Sequence, residues 1–498
     1  MQTMLDHQPA TATDPAPVAA AQGARVLIAL FVLSLLIPSS WEIAGLRLDT
    51  ARVYALAMLI PLAMRWLARE AGRPLPVDIL ILLHGFWIVV SLAANHGTER
   101  FALSVMTVVE MFSGYLVGRL LIRDPASFRF LFHILLAALV VLLPFAIAEM
   151  IKGQAVLQPI FRSLLGSAHG NIVADHPPRL GFYRAQTVMS HPILWGVFCA
   201  IVVANVFYIW RDRLPGAVVR ASLAGLACFS SLSSGAVLNM LAQFQLMLWG
   251  WATKGAWRGL MLGFAAVWIL LTVATERGPV RLMIVYLAFQ SRTGWGRLHI
   301  WDHGIDDALR NPIFGIGFHD HTRPAWLTSS VDNFWLLMMM RSGFVGFGLL
   351  AAALAWHLWK VATAEGLSAY ERRLREGYMI ALVALIFSLA TVHFWGPPYL
   401  LMFAYIGSGV WFYAGRERLS AASLPTADEI QGVEPGCIRE GSGRELPFAR
   451  RFAGAAAREP DVPLARTVAR SDTEPPAEIR HDRGQLSRRR DLSERKKP

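Results

Sequence analysis

Residues 130–150 read FLFHILLAALVVLLPFAIAEM, and this run decides the fold. Its length and nearly unbroken apolar character suit a helix crossing a hydrocarbon core of ~30 Å. A lipid-embedded segment has to satisfy its own backbone hydrogen bonds, so a helix is what the run predicts. Eleven further stretches read the same way. The expected spans are 25–41, 51–67, 77–95, 102–121, 130–150, 189–209, 219–235, 237–253, 259–275, 331–357, 377–395 and 399–415. The close pair around Gly235 reads equally as a re-entrant hairpin. Composition agrees: 55% of residues are hydrophobic, 16% are charged and mean hydropathy is +0.43. No stretch before about residue 415 has the mixed patterning of a large soluble core. The predicted fold class is all-α, a polytopic membrane helix bundle of about 12 transmembrane helices.

The same run sets the orientation. It follows a link holding Arg119, Arg123 and Arg129. Alternate links elsewhere carry Arg65, Arg69 and Arg73, then Arg211, Arg213 and Arg220, then Lys254 and Arg258, then Lys360, Arg372, Arg373 and Arg375. The links between them are poorer in charge, and the positive-inside rule places both termini in the cytoplasm. The formal charge of +12 is therefore mostly topological and no sign of nucleic-acid binding. From Arg416 onward seventeen Lys/Arg face fourteen Asp/Glu, so most of the excess lies in the membrane part. Residues 1–24 are expected to be a cytoplasmic tail, with the first apolar run retained as an anchor because no small-residue cleavage site follows it. Residues 416–498, rich in Arg, Glu, Pro, Ala and Ser, predict a disordered cytoplasmic tail. Cys199, Cys228 and Cys437 make neither a disulfide framework nor a metal spacing.

Two long outer links break the charge rule. Residues 151–188 carry Lys152, Arg162, Arg179 and Arg184; residues 276–330 carry Arg277, Arg281, Arg292, Arg297, Arg310 and Arg323. Long loops cross membranes regardless of charge. A guanidinium fork is also the preferred binder of phosphate oxygens, and such a cluster beside a bilayer suits a lipid-linked phosphate or diphosphate. Within the longer link, GRLHIWDHGIDDALRN (296–311) puts Leu298, Trp301, Ile305 and Leu309 on one helix face and His299, Asp302, Asp306 and Arg310 opposite. This predicts a helix lying in the interface and ending at Asn311-Pro312. Gly315 and Gly317 then predict a tight turn. Asp302, His303, Asp306 and Asp307 match no metal-cage spacing and read as hydrated surface acids.

These motifs together resemble the O-antigen ligase/polymerase superfamily, over roughly residues 25–415. The segment RLHIWDHGIDDALRNPIFGIGF (297–318) is similar to the family's Arg-x-x-x-Trp…Asn-Pro-x-Phe-Gly-x-Gly signature. Asp332-Asn333, nine residues, then Gly343-x-x-Gly346 resembles the ligase hallmark, with Asp332 in the place of a His. Arg184-Ala-Gln-Thr-Val-Met-Ser-His-Pro192 resembles the family's Arg ahead of a His-Pro pair, and Ser233-Ser234-Gly235 stands where the family has Ser-Arg-Gly. The absent His and Arg set a polymerase ahead of a ligase.

The resemblance implies a metal-independent membrane glycosyltransferase of the bacterial inner membrane, without cofactors, acting at the periplasmic face. Its substrate would be an oligosaccharide on polyprenyl pyrophosphate, extended into exopolysaccharide or O-antigen, with membrane lipid and other polysaccharide-secretion proteins as partners. Ligation to another acceptor, or transport without bond formation, are the alternative readings; no clear internal repeat supports a transporter. Arg297 and Arg184 are the expected cations at the leaving pyrophosphate, and Asp332 the expected base. Arg323, Arg341, His191, Trp301 and Asn333 are expected to bind substrate. His191 and His393 are alternative bases, and Trp326 and Trp335 join Trp301 as sugar platforms. Asp332 also reads as an N-cap. Arg341 lies inside the tenth span, where a charge is costly, with Glu110 as its candidate partner.

Overall fold

The computed structural model describes residues 15–43, 46–166, 178–275, 281–282 and 291–414. All of them fall in the first of the chain's two units, Met1–Pro425. The expected tail 416–498, most of the segment 1–24, and Arg277 lie outside the described residues.

Helix dominates, in the order α1 (Pro15–Leu36), a hairpin of β1 (Ser40–Ile43) and β2 (Leu46–Asp49), then α2 (Thr50–Leu67), α3 (Pro76–His96), α4 (Phe101–Leu121), α5 (Pro125–Lys152) and α6 (Leu157–Leu165). There follow α7 (Pro192–Ile209), α8 (Leu214–Ser230), α9 (Ser234–Ala252), α10 (Trp257–Ala274) and α11 (Ser291–Arg310). The last are α12 (Phe334–Ala362), α13 (Ala369–Ser388), α14 (Pro397–Ser408) and α15 (Trp411–Ala414). Each of the twelve apolar stretches overlaps a helix, but 25–41 runs on into β1, 219–235 into α9 and 377–395 past the end of α13, and 399–415 divides between α14 and α15. Among the described residues α3, α4, α5, α7, α10 and α12 are long and apolar enough to cross a membrane. The pair around Gly235 resolves into two helices, α8 and α9, joined by the turn Ser231–Ser233.

α7 is buried along nearly its whole length, packed by α8, α9 and α13. α4 and α14 form the closest seam: Gly118 faces the Ala404 carbonyl and Gly407 faces the Tyr115 carbonyl, with no room for a Cβ at either place. Small residues that bring backbones this close are the usual means of helix association in lipid.

α12 is broken at Gly343 (φ 68, ψ −178), a conformation that only glycine adopts cheaply. The break frees the carbonyls of the turn just before it, and the loop preceding α12 meets them. Ile316 N donates to Met340 O (2.6 Å), Gly317 N to Arg341 O (3.2 Å), and Phe344 N to Pro312 O (2.7 Å). From α3, Trp87 Nε1 donates to Ser342 O (2.9 Å) and Ser91 Oγ to Arg341 O (3.0 Å). The Gly-x-Gly turn is thus a backbone dock for a broken helix. Arg341 stands in the last turn before the break, its guanidinium 4.9 Å from the Phe318 ring. Glu110, its expected partner, pairs instead with Arg52, from α2.

α11 packs on the first part of α12 rather than lying apart. Its buried side chains are Leu298, Ile300, Asp307 and Ala308, while Leu309, expected on the apolar face, is exposed. Gly304 explains the rotation, because it lets α11 approach Leu336 and Met340 closely.

Buried charge occurs where a partner meets it. Asp78 accepts from Tyr115 Oη and from Arg119 Nε (3.3 Å), and all three are nearly solvent-free. Arg119→Ala leaves that carboxylate uncompensated and is expected to cost about 3–5 kcal/mol. Thermal melts in detergent check this, with Asp78→Asn in the same chain recovering part of the loss.

Candidate active site

The turn between α8 and α9 is the hub. It is held by Leu232 N to Phe229 O (2.8 Å), Ser233 N to Ser231 Oγ (3.2 Å), and Trp195 Nε1 to Ser230 Oγ (2.9 Å). Three arginines from two distant stretches converge on it. Arg184 Nε donates to Ser231 O (3.3 Å), Arg179 Nη1 to Leu232 O (2.8 Å), and Arg297 Nη1 reaches Ser234 Oγ (3.5 Å). Arg179 belongs to a short bridge with Phe182, and Arg297 sits on α11.

The cluster carries more positive charge than it can satisfy. Burial, then Arg179 and Arg297, hold the Arg184 guanidinium down at about 9, partly offset by Asp332. Burial lowers Arg297 as well, again offset by Asp332, and lowers Arg179, which also feels Arg297. The Nε atoms of Arg179 and Arg297 are buried and have no hydrogen-bond partner among the described residues. The N-cap of α9, Ser233, makes no side-chain cap bond, so the positive end of that helix adds to the same field.

Asp332 is the acid beside the cluster. Its Oδ2 lies 4.0 Å from Arg297 Nη2 and its Oδ1 accepts from Ser330 Oγ (3.3 Å). It is not the cap of α12. Asn333 has the extended cap backbone, and its Oδ1 accepts from Leu336 N (3.0 Å). Asp332 is therefore left for other work, with about a third of its side chain exposed. A crevice beneath the pair is lined by Arg297, Trp301, Asp332, Asn333 and Leu336.

The remaining expected residues sit elsewhere. His191 caps α7, its Nδ1 accepting from Ile193 N (3.1 Å), and His191 and His393 flank the Trp395 ring at 5.8 and 5.6 Å. Arg323 is tied to Asp320 (2.7 Å) and to Leu327 O (2.6 Å). Trp335 Nε1 is used on Ile386 O (3.0 Å), and Trp326 packs against His299. Asp302 pairs with Arg281 (2.8 Å), and Asp307 accepts from Thr322 N (2.6 Å). Among the described residues no three His, Cys, Asp or Glu side chains gather as a metal site would need. Arg179 was not singled out by any motif; only its place among the loop arginines hinted at it.

The division between the neighbours is testable. Asn333→Ala removes a cap and is expected to lower stability by about 1 kcal/mol. Asp332→Ala leaves the cap in place and is expected to lower stability only by removing the charge that offsets Arg297, a loss that shrinks as salt is raised, as read in parallel thermal melts.

Residues 219–351 match the family model described as O-antigen ligase. No curated protein matches the chain. The matched stretch holds the α8–α9 turn, Arg297, Asp332 and the break at Gly343, and it supports a likeness to the O-antigen ligase-like superfamily.

Proposed function

We propose that the chain polymerises oligosaccharide repeats carried on polyprenyl pyrophosphate, at the periplasmic face of the bacterial inner membrane. In this reading residues 25–415 form one domain of twelve spans with both termini cytoplasmic, and the loops 151–188 and 276–330 face the periplasm. The reading is carried by one observation: three guanidiniums converge on the α8–α9 turn with one carboxylate beside them.

The chemistry follows from that arrangement. An acceptor sugar hydroxyl attacks the anomeric carbon of the donor glycan. The bond from that carbon to the pyrophosphate oxygen breaks, and the pyrophosphate leaves with the electron pair. Arg179, Arg184 and Arg297 hold the leaving group and offset the charge that grows on it. The free N-terminal amides of α9 act in the same sense. Asp332 takes the proton of the attacking hydroxyl, and its contact with Arg297 keeps it aimed. Trp301 lines the narrow crevice beneath them.

The test supplies the purified chain in lipid nanodiscs with a defined polyprenyl-pyrophosphate oligosaccharide. Longer lipid-linked products are expected. Arg297→Ala or Arg184→Ala should slow their formation by about 10²–10³-fold, and Asp332→Ala by about 10²–10⁴-fold. Transfer only to a different acceptor would replace polymerase by ligase. Movement of substrate across the bilayer without bond formation would overturn the enzyme reading.

A further inference from the structure

The segment that carries Arg184 has little regular structure to hold it. Between 178 and 191 the one ladder contact is the Arg179–Phe182 bridge. Thr187 has φ 49, a left-handed conformation that a β-branched residue adopts at a cost. Strain of this kind persists only where the surroundings impose it.

The imposing group is Glu149, near the end of α5 and 3% exposed. Its Oε2 accepts from Gln186 N (3.0 Å) and from Thr187 N (2.8 Å), and its Oε1 from Val156 N (3.0 Å). No cation pairs with it among the described residues; three backbone N–H groups take up its charge instead. Such charge-assisted bonds are about twice as strong as neutral ones. Gln158 adds to the clamp, its Nε2 donating to Thr187 O and Met189 O (3.1 Å each). On the other side Ala185 N donates to Ser230 O (3.0 Å), next to the Arg184 bond to Ser231 O. Residues 184–187 are thus held between one carboxylate and the α8–α9 turn.

We propose that Glu149 is a positioning residue for Arg184: by gathering the amides of Gln186 and Thr187 it aims the guanidinium at the anion that the arginine cluster binds. This rests on the reading that Arg184 holds a pyrophosphate. Glu149 itself touches no substrate and acts only through the backbone.

The test uses the full chain in lipid nanodiscs and has two readouts. The first needs no ligand: the rate at which phenylglyoxal modifies Arg184, read by mass spectrometry of the peptide. Arg184 is 9% exposed and should react slowly. In Glu149→Gln its rate should rise about tenfold as the segment opens locally, with Arg297 unchanged. The second readout is affinity for farnesyl diphosphate as the probe. Glu149→Gln should weaken it about tenfold, as Arg184→Ala does. The two together should weaken it no further than Arg184→Ala alone, whereas Glu149→Gln and Arg297→Ala should multiply.

Glu149→Asp keeps the charge but shortens the reach. It should give both changes at smaller size, and it stands in if the Gln variant does not fold. Unchanged Arg184 reactivity in a folded Glu149 variant overturns the proposal. So do losses that multiply with Arg184→Ala as they do with Arg297→Ala. If the wild-type chain binds no diphosphate, the functional reading fails, and the reactivity measurement alone still decides the role of Glu149.

Discussion

A backbone carbonyl inside an apolar bundle has to be met by a donor, and the break at Gly343 frees several together. Meeting them fixes the course of the loop before α12. Ile316 and Gly317 lie against Met340 and Arg341, and Gly317 is followed by Phe318, whose N–H donates to His96 at the end of α3 (2.7 Å). With that loop docked, α11 has one place to go, along the first part of α12. Gly304 seats it against Leu336 and Met340, and Arg297, about two turns earlier, is carried to Asp332. The one ion pair at the candidate site therefore depends on a helix break whose residues take no part in it.

The second constraint is electrostatic. Arg179, Arg184 and Arg297 share a poorly solvated turn, and Asp332 can balance one of them. Desolvated like charges oppose one another, and each of the three guanidiniums is held below its ordinary range. In the proposed function, an anion with several oxygens offsets all three at once. Carbonyl bonds from Arg184 to Ser231 and from Arg179 to Leu232 hold the side chains in place meanwhile. The turn contributes backbone oxygens rather than an arginine of its own, and Ser234, where the resembled family has Arg, is the residue that Arg297 reaches.

What was legible in the sequence follows the range of the interactions. The apolar stretches are local, so each one overlaps a helix, several of them closely at both ends. The ends fail where no local signal marks them: α1 starts at Pro15 where the apolar run starts near 25, α13 covers Ala369–Ser388 where the apolar run covers 377–395, and 399–415 divides into α14 and α15. The glycines of the Asn311–Phe318 stretch were legible as a turn. Their purpose was not, because Gly343 reads as an ordinary glycine in a helix until its partner loop is known. Glu110 found Arg52 rather than Arg341 because a buried ion pair is set by which spans adjoin, and spacing carries no such information. Arg184 and Arg297 were legible through the motif they resemble, whereas Arg179 lies within no motif.

Asp332 and Asn333 show how neighbouring residues divide work that sequence cannot separate. Either side chain could cap α12. The structure gives the cap to Asn333 and secures the helix start further, since Phe334 N donates to Leu389 O (2.9 Å) and Val392 O (3.1 Å). α12 is thus anchored at its mouth by the α13–α14 connection and at its break by the preceding loop. A carboxylate one residue outside a helix held at both points has a fixed backbone and a side chain that capping does not use. That combination suits a group that must accept a proton at a defined place, and a capping role would have taken it away.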